Sequence, residues 1–317
     1  MMTAQDHTQR TPTPNPVPTV SDSAVASLNR HKPHGHWYFV RRQFLRDRAA
    51  IIAGIVLLLI LMLTALAPLI APYDPVFQSE NSEDRLAPPS LAHLMGTDDL
   101  RRDILSRVLY GGQTTLRVAI VSVIGAVVLG LVLGMVSGYF GGSSDEIISR
   151  FIDILMTLPG ILLAIVIIAI LGPGLNNAMI AVAVSGIPTI SRLVRGDTLV
   201  EKNKVYIEAS RAMGSSDWHI MAVHVAPNVI QSVIVVATLQ VATAIQIAAG
   251  LSFLGLGQQP PNPEWGAMLS NGRNYMSSGK WWMTVFPGLA IFITVMAINL
   301  LGDGLRDAFD PRLRNLD

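Results

Sequence analysis

The chain has no cysteine among its 317 residues, which excludes disulfides and thiolate metal sites. Charge is scarce as well. Asp, Glu, Lys and Arg make up 14%, against roughly 25% in an ordinary soluble domain. A formal net charge of +1 gives no sign of a nucleic-acid partner. A phosphate-binding loop is missing too: Gly279-Lys280 is followed by Trp281 and lacks the earlier glycine that such a loop requires. No nucleotide cofactor is therefore expected on this chain.

What the chain has in excess is apolar sequence. Half of it is hydrophobic and the mean hydropathy is +0.45. A helix crossing a bilayer needs about 20 mainly apolar residues. Residues 49–71, 118–136, 154–171, 176–193, 229–249 and 285–301 fit, and predict an all-α polytopic membrane protein with six transmembrane helices. The fourth is the weakest, because it contains Gly186 and Pro188. No span has an Asp, Glu, Lys or Arg near its middle, which argues against an ion-coupled secondary transporter. Paired aspartates, a His/Glu set and a Ser/His pair are also missing at membrane depth, so an intramembrane protease fits poorly.

The remaining chain divides around the spans. Residues 1–36, with TPTPNPVPT, predict a disordered tail rather than a signal peptide. His31, His34 and His36 there read as a solvated linker, with a metal site as the alternative. A basic juxtamembrane segment follows at 37–48, the first span at 49–71 and an outer loop with an amphipathic segment at 72–117. A core of five spans covers 118–302, and a tail 303–317. Lys/Arg bias near the span ends places both termini and the 205–228 loop in the cytoplasm. Trp281 and Trp282 are then expected at the outer interface.

The 205–228 loop is polar yet helix-forming. Glu208, Ala209, Arg211, Ala212 and Met213 favour helix, and Gly214 suits a left-handed stop. Ser215 or Ser216 can cap a second helix, with Asp217 in its first turn. Trp218, Met221 and Val225 give an apolar stripe, and Pro227 is expected to end that helix. On these grounds alone an interfacial loop against lipid headgroups is the plainer reading.

A resemblance shifts that balance. Glu208-Ala209-Ser210, Gly214 and Pro227 resemble the "EAA" loop of bacterial ABC importer permeases, with Ser210 replacing the second Ala. His224 and Ala226 replace the usual Ile and Leu, and His-x-x-Pro-Asn is similar to the peptide-permease variant. LAPLIAPYDP, HLMGTDDLRRDILSRVLYG, FLGLGQQPPNPEWGAML and NLLGDGLRDAFDPRLR resemble the C-type subunit of the dipeptide/oligopeptide/nickel importers, dipeptide- and glutathione-type closest. Arg101 stands where that family usually has Gly.

The resemblance implies a permease subunit of the bacterial inner membrane that carries no catalysis itself. Its implied partners are a second homologous permease, two ATP-binding subunits that hold ATP and Mg, and an extracytoplasmic substrate-binding protein. It implies a coupling loop in which Glu208, Ala209, Ser210, Gly214, Ser215, Asp217, Trp218, His224 and Pro227 meet the ATPase. Glu208 also reads as a plain partner for Arg211. Gln240, Thr243 and Gln246 either line a peptide path or hydrogen-bond across helices. Pro260, Pro261, Pro263 and Glu264 form a stiff outer loop suited to binding-protein contact. Asp98, Asp99, Arg102 and Asp103 are expected on a self-paired surface helix. Asp145, Glu146, Arg150 and Asp153, like Asp303, Arg306 and Asp307, are expected to be structural. A nickel or metal-chelate importer and a stand-alone secondary transporter remain the alternatives.

Overall fold

The computed structural model describes residues 43–45 and 47–309. The expected tail 1–36 with its three histidines lies outside those residues, as do most of 37–48 and the end of 303–317. The described chain is helices and turns, with one isolated antiparallel bridge between Thr97 and Asp103. The helices are α1 (Arg48–Ala65), α2 (Ala67–Ile70), α3 (Ile104–Phe140), α4 (Gly142–Met156), α5 (Gly160–Leu171) and α6 (Leu175–Glu201). They continue with α7 (Val205–Ala212), α8 (Asp217–His219), a π-helical turn (Ile220–Val225), α9 (Ala226–Phe253), α10 (Trp265–Met276) and α11 (Trp282–Phe309).

Five stretches are long and apolar enough to cross a membrane: α1, α3, α6, the run Asp217–Phe253 and α11. The third expected span differs. Residues 154–171 are not one helix, because α4 and α5 meet at a 92° bend. Pro159, the N-cap of α5, cannot continue the α4 ladder, and the residue before a proline disfavours helix. With 12 residues, α5 is about 18 Å long, well short of the hydrocarbon core. The second expected span, 118–136, is the middle of α3, whose 37 residues also include 104–117, expected in the loop before it. The fourth, weakest in sequence, is the most buried of the five.

That burial has a local cause. Gly130, Gly134 and Gly138 form a stripe on α3 that lets α6 lie against its backbone. A Cβ added at Gly134 would sit 2.6 Å from the Ser191 carbonyl oxygen, and one at Gly138 2.8 Å from that of Arg195. Small residues at this spacing admit the close approach on which helix packing in a membrane depends. Around this pair, Val118, Val182, Ala244, Ile245 and Ile298 form the central core. A second cluster lies at the end of the bundle where α3 finishes, called the loop end here. It buries Tyr139, Ile190, Val194 and Val229 together with Ile207, Ile220, Met221 and Val225 of the loop.

At the opposite, far end, residues 72–103 fold back on the bundle. Asp98, Arg102 and Asp103, expected on a surface helix, are buried in a tight turn instead. Arg102 donates from Nε to Asp98 Oδ2 at 2.7 Å, and Asp103 accepts from Ser106 N at 2.7 Å as the N-cap of α3. Arg101 has φ 62°, and a left-handed residue here interrupts any helix. A glycine suits that geometry better, so Arg101→Gly is expected to raise the melting temperature slightly, with a net gain of under about 1 kcal/mol. A lower melting temperature would count against the strain. Trp281 and Trp282, paired in the sequence reading, separate. Trp281 is exposed, whereas Trp282 is buried and donates from Nε1 to Thr97 O at 3.2 Å.

Candidate coupling loop and central cavity

The loop between α6 and α9 is built around Gly214. Its φ of 87° is left-handed, which a Cβ disfavours. Gly214 N donates to Arg211 O at 3.0 Å and Ser215 N to Ser210 O at 3.2 Å. These two bonds are those of a Schellman turn, which satisfies the last carbonyls of α7. The next helix begins at once. Ser216, rather than Ser215, is its N-cap, and its hydroxyl accepts from His219 N at 3.4 Å. Ser215 Oγ instead accepts from the buried Ser210 hydroxyl at 3.1 Å, tying the turn to itself.

Two expectations are corrected beyond the bend. Pro227 does not end the second helix. It sits in the first turn of α9, where a missing N–H costs little, and the chain is helical from Asp217 to Phe253. The π-helical turn just before it carries the backbone past the proline, with Ala226 N bonded to Met221 O. The apolar stripe also shifts by the wider turn: Ile220, Met221 and Val225 are buried, while Trp218 is 66% exposed.

The outward side of the loop is polar at its centre and apolar at its edges. Glu208, Ala209, Gly214 and Asp217 are exposed. Val205 and Met213 are 81% and 80% exposed. Large apolar groups left open in this way suit contact with a protein partner or a membrane surface. Arg211 does not pair with Glu208, as the plain reading had it. Its Nη2 donates to Tyr139 Oη at 3.1 Å, and that phenol donates to Asp217 Oδ1 at 2.7 Å. The Tyr139 bond holds the Arg211 guanidinium above its ordinary pKa.

Further residues outside the sequence-based set brace the loop. Lys202 Nζ donates to Gly138 O at 2.7 Å and to Tyr139 O at 3.2 Å. The Tyr206 phenol, pushed up to about 12 by burial and by Glu201, stays protonated and donates to that carboxylate. Asn228 donates to Tyr206 Oη at 3.2 Å and to His224 O at 2.7 Å, and His224 lies edge-on to the Tyr206 ring. Lys202 and Asn228 reach partners 22 to 64 residues away in Tyr206, Gly138 and Tyr139, for which local patterning carries no signal. Two of the acidic residues of α4 are ion-paired with α6: Asp145 takes a bidentate bond from Arg195 at 2.6 and 2.7 Å, and Asp153 pairs with Arg192 at 2.7 Å.

A cavity of about 530 Å³ opens where the α4–α5 bend meets α3, α6 and α9. Ser122, Ser185, Thr189, Gln240 and Thr243 supply its polar lining. Gln240 also donates from Nε2 to Gly186 O at 3.3 Å, a bond from α9 to α6 made at the cavity wall. Gln246 is exposed but is not part of the wall. Each three-residue step along a helix drifts about 60°, which turns Gln246 away from Gln240.

The proline loop at the far end divides. Pro260 and Pro261 are exposed, whereas Pro263 and Glu264 are buried. Glu264 caps α10 through Gly266 N at 3.0 Å and Ala267 N at 2.9 Å, and accepts from Thr115 Oγ1 at 3.0 Å. A buried cap is no contact for an external protein, so that role leaves Glu264. Burial pushes its carboxyl up, against the hydrogen bonds that hold it down. Glu264→Ala is expected to lower stability by about 2 kcal/mol, read as a fall in melting temperature. An unchanged melting temperature would contradict the cap.

Residues 130–315, more than half of the chain, match the family described as binding-protein-dependent transport system inner membrane component. The chain belongs to that family. Residues 36–89 of the permease also match the N-terminal TM domain of oligopeptide transport permease C, which fixes the C-type branch. The permease is similar to the glutathione transport system permease protein GsiD of Pectobacterium atrosepticum, 44% identical over 302 residues, 94% of this chain and 96% of that one. GsiD of Escherichia coli is 46% identical over 280 residues, 88% and 91% of the two chains. A solved structure of the MetNI methionine ABC transporter in inward-facing conformations has a TM-score of 0.53 and 23% identity, covering 65% of the permease and 98% of that chain. That likeness concerns the fold. The permease is a transport subunit of an ABC-type importer, and nucleotide hydrolysis falls to separate subunits.

Proposed function

We propose that the permease carries short peptides, glutathione among them, inward across a bacterial inner membrane by alternating access. The observation that carries the cargo class is the similarity to proteins named as glutathione permeases over nearly the whole chain. In this reading the α4–α5 pair counts as the sixth span, both termini face the cytoplasm, and the loop end is cytoplasmic. ATP draws two ATP-binding subunits together, and the 205–228 loop moves with them. Glu208, Ala209, Gly214, Asp217 and Trp218 form the docking surface; Ser210, Ser215, His224 and Pro227 hold its shape. A second homologous permease completes the pathway. The extracytoplasmic binding protein delivers cargo at Pro260 and Pro261, and the cavity with Gln240 and Thr243 receives it.

Amide and hydroxyl groups suit a peptide backbone without the tight grip of a charge, which favours release. The loop must contact the two ATPase states differently for ATP to shift the equilibrium. The test is co-expression with the ATP-binding subunits, second permease and binding protein, followed by uptake of labelled glutathione and a dipeptide into proteoliposomes. Uptake that requires ATP and the binding protein is the expected result. ATP-independent uptake, or assembly without ATPases, would overturn the proposal.

A further inference from the structure

We propose that α3 is the rod by which the two docking surfaces signal to each other, and that Tyr139 is the positioning residue that fastens the coupling loop to it. The inference rests on the reading of 205–228 as the ATPase-docking loop. With 37 uninterrupted residues, α3 is about 55 Å long and reaches both ends of the bundle. At the far end its second turn holds the proline loop. Arg107 Nη1 donates to Pro75 O at 2.6 Å and to Pro261 O at 3.4 Å, and Arg107 Nε lies 3.6 Å from Asp98 Oδ2. Movement of the exposed Pro260–Pro261 segment is therefore felt at the start of α3.

At the other end, one phenol bonds both arms of the bend, beside the Lys202 bonds and the apolar packing that also hold the loop to α3. Tyr139 Oη accepts from Arg211 of α7 and donates to Asp217 of α8. These residues lie on opposite sides of Gly214, so one hydroxyl pins both arms of the bend. The Arg211 guanidinium also sits 5.7 Å from the Tyr139 ring centroid, and Trp218 packs edge-on against Phe140. Donating and accepting at once requires a hydroxyl, and phenylalanine offers neither. Between the two ends, the glycine stripe locks α3 to α6, while Ser122, Val123 and Ala126 face the cavity. A displacement of the loop thus moves a two-helix unit that forms a cavity wall. Coupling of this kind is reciprocal: if the loop moves the far end, the far end biases the loop.

The test uses the full complex in proteoliposomes, with ATP hydrolysis measured with and without the binding protein, and uptake measured per ATP. In Tyr139→Phe, stimulation by the binding protein is expected to fall at least tenfold, and uptake per ATP with it. The amount of ATPase that co-purifies and the melting temperature should remain near those of the wild type. A purely structural phenol would instead lower assembly or melting temperature and leave the stimulation ratio intact, and that result overturns the proposal. Unchanged stimulation with unchanged assembly overturns it equally. A wild-type complex without any stimulation would remove the docking-loop reading and this inference together.

Discussion

Gly214→Pro should abolish coupled uptake, by more than tenfold, while the permease still inserts and remains folded. Proline fixes φ near −65° and removes an N–H, whereas Gly214 has φ 87° and donates to Arg211 O. Both the direction of the chain and one bond of the turn are lost together, at a local cost of about 3 kcal/mol. The loss is confined, because nothing lies within 4 Å of the Cβ position at Gly214 and the residue is exposed. The α7 arm would leave the α8 arm, and the docking surface would no longer present a single shape. Glu208→Lys attacks the same surface by charge alone. Glu208 is exposed and its carboxylate makes no hydrogen bond or ion pair among the described residues, so reversal should change stability by no more than about 0.5 kcal/mol. A charge placed wrongly at an interface costs several kcal/mol of binding. Lost uptake in both variants, with normal membrane levels, is the expected pair of results. Normal uptake in both would sink the coupling role of the loop.

Gly134→Leu is expected to be the most damaging single substitution for folding. The added Cβ alone would meet Ser191 O at 2.6 Å and Val194 Cβ at 2.7 Å, and one contact is backbone that cannot swing aside. Overpacking of this kind costs about 3 kcal/mol or more, because α6 must back away from α3 along its length. The yield of folded permease in detergent and its melting temperature read this directly. Gly196→Ala is the control on the same helix pair. Nothing lies within 4 Å of its Cβ position, and it lies inside α6, so alanine should stabilise by about 0.5–1 kcal/mol. Equal behaviour of the two variants would contradict the close α3–α6 contact.

Local rules made part of this architecture legible. The glycine stop at Gly214, the serine cap and Asp217 follow from backbone chemistry within a few residues. The apolar spans follow from composition. The bend at Pro159 was also present in sequence, but a continuous apolar count from 154 to 171 concealed it. Hydropathy measures transfer into lipid and is blind to a change in helix direction. Pro227 misled for the opposite reason: a proline at the start of a helix is tolerated, and the π-helical turn before it is not written in any local pattern. Glu264 looked like part of an exposed proline loop because its side-chain partner, Thr115, lies 149 residues away in α3. Tyr139 was invisible for the same reason, since Arg211 and Asp217 follow it by more than 70 residues. Long-range polar pairing, the part of the site that fixes loop position, has no sequence period.

The absence of cysteine gives the account its most direct test. A single thiol at Ala209→Cys would be the only one in the permease, exposed on α7 beside Glu208. Leu91→Cys, at a 99% exposed far-end position, serves as the counterpart. Cross-linking of the assembled complex with a short thiol-to-amine reagent, with and without ATP, should join Ala209→Cys to an ATP-binding subunit with a yield that changes on ATP addition. Leu91→Cys should give no such product. An ATPase adduct from Leu91→Cys, or none from Ala209→Cys in a complex that transports, would contradict the placement of the coupling surface on this loop.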